Sequence, residues 1–132
     1  MAVSKKFKRK IVRQGKVFYW YVKSDYDDEG KIKVYILSED KKFIVAYEIG
    51  QVIKQQKKSP FLVVMGKEFV GFVGDHMDIR VQTPPIWDDL SATPSLVGNI
   101  IDWCYSEKKE IVLVNWKGEL IWKYTVHDKR TL

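Results

Sequence analysis

The stretch Asp25-x-Asp27-x-Glu29-Gly30 has the spacing with which a calcium loop opens, oxygens at positions 1, 3 and 5 and a glycine at 6. Such a loop closes on a bidentate glutamate at position 12, which here is Ile36, and an aliphatic side chain cannot ligate calcium. Flanking segments of strand pattern leave a solvated hairpin turn as the better account. His76 stands between Asp75 and Asp78, where a carboxylate could orient the imidazole for general-base work. In a strand, however, adjacent side chains point apart, and a polar turn explains the same residues. His127 lies in the polar tail. Cys104 would need a base and an electropositive setting to act as a nucleophile. It falls instead on an apolar stripe, as a small buried hydrophobe does. Gly66, Gly71 and Gly74 make no phosphate loop, because Gly66-Lys67 is followed by Glu68 rather than by Ser or Thr and a helix. No catalytic set, metal site or cofactor motif emerges from these residues.

Two further groups bear on binding rather than catalysis. The loop Trp87-Asp88-Asp89, braced by Pro84-Pro85, could anchor a partner through its aromatic side chain. The simpler alternative is a Trp folded back as a lid on the core, with aspartates favouring the positive end of the following helix. The second group is the amino-terminal charge. Lys5, Lys6, Lys8, Arg9, Lys10, Arg13 and Lys16 stand in the first sixteen residues with no acid among them, whereas the whole chain carries a net charge of +6. The body is therefore near neutral, and the first segment carries the excess. A basic arm of this kind contacts phosphates, or guards a strand edge against aggregation. The aromatic run Phe18-Tyr19-Trp20-Tyr21 follows it, and exposed rings beside cations stack single-stranded bases. The same rings would be buried if that face paired with a second copy.

The elements that must position these groups are mostly strands. Lys8–Val12, Val17–Val22, Lys31–Ser38 and Phe43–Glu48 read as a meander of hairpins, turning at Gln14-Gly15, Asp25–Gly30 and Glu39–Lys42. The segment 50–59 is ambiguous between a polar edge strand and a turn or two of helix. Phe61–Met65, Phe69–Val73 and Met77–Gln82 follow as short strands. Thr83-Pro84-Pro85 ends any regular element. The spacing of Leu96, Val97, Ile100, Ile101 and Cys104 predicts a helix from Pro94 to about Tyr105, with Thr93 as its cap and Pro94 at its first position. Lys109–Val114 and Glu119–Val126 close the chain as a hairpin, in which alternation puts Leu120, Trp122, Tyr124 and Val126 on one face.

With 132 residues, 45% of them hydrophobic, the chain suits a single domain over residues 1–132, its first seven residues a flexible basic arm. One cysteine, no signal-like amino terminus and no apolar run near the ~20 residues that span a bilayer point to the cytoplasm. The expected fold is α+β: a twisted or partly closed antiparallel sheet of about six to eight strands with one main helix on one face. The Thr93-Pro94-x-x-Val97-x-x-x-Ile101-x-Trp103 pattern, with Gly15-x-x-Phe18-Tyr19-Trp20 before it, resembles small uncharacterised bacterial β-rich proteins. That resemblance implies no activity.

The functional expectation is a non-enzymatic interaction module, pairing with a protein partner or with a second copy of itself. The alternative is a nucleic-acid-binding domain that uses Lys5, Lys6, Lys8, Arg9, Lys10, Arg13 and Lys16 with Tyr19, Tyr21 and Tyr35. A third reading is an enzyme built on His76 with Asp75 or Asp78. No membrane partner or metal is expected.

Overall fold

Tight turns set the strand register. Gln14 and Gly15 both take positive φ, 54° and 69°, the geometry of a two-residue hairpin turn whose twist matches its strands. They join β1 (Arg9–Arg13) to β2 (Lys16–Asp25), with Ile11 opposite Phe18. At the far end of β2, the Asp25 carboxylate accepts the Asp27 N–H at 3.1 Å and the Gly30 N–H reaches the Asp25 carbonyl at 2.8 Å. The calcium-like stretch is thus a turn into β3 (Lys31–Ser38). The computed structural model describes residues 8–54, 59–70, 79–107 and 110–125.

The chain continues through β4 (Ile44–Glu48), the single turn α1 (Gln51–Lys54), β5 (Phe61–Val64), β6 (Ile79–Gln82), α2 (Pro94–Tyr105), β7 (Glu110–Val114) and β8 (Leu120–Thr125). Among the described residues eight strands form one antiparallel sheet in sequence order, with β1 and β8 at its two edges and no pairing between them. Period-two alternation puts Phe18, Trp20, Val34, Ile36, Val45, Tyr47, Leu62, Val64, Val81 and Ile111 in the core. The helix stripe predicted from sequence, Leu96, Val97, Ile100, Ile101 and Cys104, is buried in the same cluster. At about 1.5–3 kcal/mol for each large side chain, that burial fixes α2 over one face. Thr93 caps it, its Oγ1 accepting the Leu96 N–H at 3.1 Å.

Three local expectations are revised. The ambiguous segment after Gly50 begins as one helical turn, because the buried Asp89 carboxylate accepts the N–H groups of Val52 at 2.8 Å and Ile53 at 3.2 Å. Phe69 and Val70 are not strand, the Val70 N–H bonding instead to the Cys104 carbonyl at the end of α2. Leu120 and Trp122 do not share a face. Leu120 pairs with Val114 and Trp122 with Leu113, so Ile121 is an extra residue, a bulge that shifts the alternation by one. Val73, Lys109 and Val126 lie outside the described residues.

Candidate binding groove on the open face of the sheet

The described part of the basic segment, from Lys8 onward, is built into the sheet. On β1, alternate residues face the helix side. Arg13 grips Asp102 of α2 with both ends of its guanidinium, Nε to Oδ1 at 3.2 Å and a terminal nitrogen to Oδ2 at 2.6 Å. Gln14 adds an amide hydrogen bond to the same carboxylate at 2.9 Å. These bonds hold the Asp102 carboxyl below its ordinary range and raise the Arg13 guanidinium. The approach is possible because Gly98 has no side chain where Arg13 lies: a Cβ there would sit 2.9 Å from the guanidinium carbon. Arg9 stacks over Trp20, 5.4 Å from the ring centroid. Lys16 pairs with Glu68 at 3.4 Å and lies over Tyr105 at 5.2 Å. Three of the seven predicted cations therefore serve the helix side of the sheet. Lys10 projects to the other face, Lys8 precedes β1, and Lys5 and Lys6 lie outside the described residues.

Tyr19, Tyr21 and Tyr35 do share the face away from α2. Tyr19 lies opposite Leu37 on the ladder, and Tyr21 lies opposite Tyr35. The latter rings stack at 5.2 Å with an interplanar angle of 11°. Partial burial raises the Tyr21 phenol above its ordinary value. Beside this pair the face is hollowed. Ala46 stands opposite both Tyr35 and Val63, and Val63 stands opposite Arg80. A methyl group between larger neighbours leaves a depression of about 300 Å³, with Ala46 on its floor and Tyr35 and Arg80 among its walls. Phe61 and Glu48 line it toward one end, Met65 and Trp116 toward the other. Its charges balance: Lys31, Lys33 and Arg80 against Asp25, Asp27 and Glu48. Lys33 donates to Asp25 at 2.9 Å, and both are largely covered, so this part of the wall is set in place.

Sequence reasoning found the tyrosines but not the groove. The available signal was Ala46, the one small residue in the strand Ile44-Val45-Ala46-Tyr47-Glu48. Its neighbours across the ladder become visible only with the register.

The Trp87 loop is arranged otherwise than a partner anchor requires. Trp87 is 6% exposed and packs edge-on against Tyr47 and Trp103 at 5.5 and 5.9 Å. Asp89 is fully buried and accepts the Tyr47 hydroxyl at 2.6 Å, while its backbone carbonyl takes the Gly50 N–H at 2.8 Å. Burial and this carboxylate together push the Tyr47 phenol far up. As placed, Trp87 is a lid and Asp89 a buried tie. A partner reaching the loop would meet Asp88 with Ile86 and Leu90, 81% and 65% exposed.

Cys104 is buried and forms no disulfide. Asp75, His76, Asp78 and His127 lie outside the described residues. Among the described residues no group of three or more His, Cys, Asp or Glu side chains is placed to hold a metal ion, and no helix is long and apolar enough to cross a membrane. No family model, curated protein or solved structure matches this chain.

Proposed function

We propose that the chain is a non-enzymatic interaction module that holds an extended segment of a protein partner in the groove over Ala46. The observation that carries this is the groove's composition: aromatic walls around a small apolar floor, with three cations balanced by three carboxylates. Aromatic walls supply most of the energy of such a contact. Alternating charges suit the mixed side chains of a peptide. A polyanion would meet Asp25, Asp27 and Glu48 inside the groove, and on the helix side it would have to compete for Arg13 and Lys16 with Asp102 and Glu68. The nucleic-acid reading therefore ranks second. A cytoplasmic location belongs to the same proposal, supported by the lone thiol.

The test is a selection of short random peptides against the whole chain, with Ala46→Leu as the discriminating variant. Leucine at 46 fills the depression from the outer face and leaves the helix-side core untouched. Selected peptides should bind the wild-type chain and lose at least about tenfold in affinity, roughly 1.4 kcal/mol, on Ala46→Leu, with an unchanged far-ultraviolet circular dichroism spectrum. Single-stranded oligonucleotides at low salt are the counter-probe. Oligonucleotide binding that Ala46→Leu leaves intact, with no peptide enriched, would reject the proposal.

A further inference from the structure

The two edges of the sheet are finished differently. β1 carries Arg9, Lys10 and Arg13 among five residues, and charged side chains keep other strands from docking on an edge. β8 begins Leu120-Ile121-Trp122, 60%, 63% and 63% exposed, and Lys123 is the one charged residue among its six. Trp116, in the turn that leads into β8, is 62% exposed. The bulge leaves Ile121 without a partner on β7 and sends Leu120 and Trp122 to opposite faces. Apolar side chains thus flank the edge on both sides, and a bulge at an edge commonly serves to re-aim side chains in this way.

We infer that the β8 edge is a self-association surface, covered by the β8 edge of a second copy of this chain in a two-fold pair. The area fits. At about 150–250 Å² for an aromatic side chain, the two tryptophans leave roughly 250 Å² of ring open. Leu120 and Ile121 bring the patch to roughly 450 Å². Covering it on both copies approaches the ~1,000 Å² that a specific interface needs. The charge distribution selects the arrangement. The described basic residues of the amino-terminal segment, Lys8, Arg9, Lys10, Arg13 and Lys16, lie at or beside the opposite edge of the sheet, so two copies meeting through β8 keep these cations apart. Head-to-tail stacking of β8 on β1 would set apolar side chains against cations, and such a contact need not close. The bulge confines regular backbone pairing to the residues after Ile121, so side chains carry the contact. Because Trp116 also lines the groove over Ala46, the second copy abuts one end of it. The inference does not depend on what the groove holds.

Sedimentation equilibrium of the whole chain, from low to high micromolar concentration, reads the result. The wild type should move from monomer toward twice the monomer mass. Trp122→Lys and Ile121→Lys should each raise the dissociation constant at least about thirtyfold, the size of a hot-spot loss, while circular dichroism and thermal midpoint report an intact fold. Lys10→Glu, on the opposite edge, should leave the dimer unchanged. A monomer at every concentration would overturn the inference. So would a dimer that tolerates both β8 lysines, one that Lys10→Glu dissolves, or a monomer that instead sediments with anionic lipid vesicles.

Discussion

At Gly66 an added Cβ would run into the backbone carbonyl of Lys42 and the backbone nitrogen of Ile44. Neither can yield, because the Lys42 carbonyl accepts the Glu68 N–H and the Ile44 carbonyl takes the Met65 and Gly66 N–H groups. Gly66→Ala is expected to lower stability by about 1–3 kcal/mol, as forced overpacking does, measured by urea denaturation. Gly98 is the opposite case. There the Cβ meets the movable end of Arg13, and alanine gains about 1 kcal/mol of helix propensity over glycine. Against that stands an ion pair whose side chains are 40% and 41% exposed and which contributes little. Gly98→Ala should therefore leave the thermal midpoint unchanged or slightly raised, and the Asp102 carboxyl, followed by NMR, should titrate closer to an ordinary aspartate. Asp89 gathers the Tyr47 hydroxyl and two α1 N–H groups inside the protein. Asp89→Ala strands these donors and should cost about 3 kcal/mol or more, with Asp89→Asn costing less, read by the same denaturation. The sequence makes Trp87-Asp88-Asp89 look like an accessible loop because it shows three polar or amphipathic residues beside prolines. It does not show that Tyr47, forty-two residues earlier, offers a buried hydroxyl to Asp89.

Among the elements, β1 shows how a charged strand is built into a sheet. Only Ile11 of its five residues packs against the core, and two of its three cations, Arg9 and Arg13, meet Trp20 and Asp102 on the helix side. Asp102 is held below the ordinary carboxylate range by Arg13, and Asp40 by the Ser38 hydroxyl and the Lys42 N–H. A depressed carboxyl contributes stability above its unfolded value, about 3.9 for aspartate, and loses it as the pH falls through the folded value. The stability gap between wild type and Asp102→Asn should thus be present at about pH 6 and shrink as the pH falls below the ordinary aspartate range. Urea midpoints above and below that range check this, and the gap should be small because the pair is exposed. Strands and α2 were legible because their apolar period is regular and their turns carry Gly or Asp at the required positions. The bulge at Ile121 was not, since alternation in Leu120–Thr125 is intact and only the pairing with β7 reveals the extra residue.

For the molecule as a whole, the decisive asymmetry is between two faces of one sheet. α2 and the Trp87 loop seal one face with a continuous apolar core, and the other keeps its stacked tyrosines and a hollow over Ala46. The division into a covered and an open face could be read from a single amphipathic helix set against about six to eight strands. Which aromatics fall on the open side could not, because Phe18-Tyr19-Trp20-Tyr21 is apolar on both faces until β3 fixes the register. Binding is assigned here to the open face. The most direct test maps amide chemical shifts of the isotope-labelled chain as a selected peptide is added. Perturbations concentrated on Tyr21, Tyr35, Ala46, Val63 and Arg80 are the expected result. Perturbations confined to Arg9–Arg13 or to residues 84–92, with the Ala46 amide unmoved, would contradict the account.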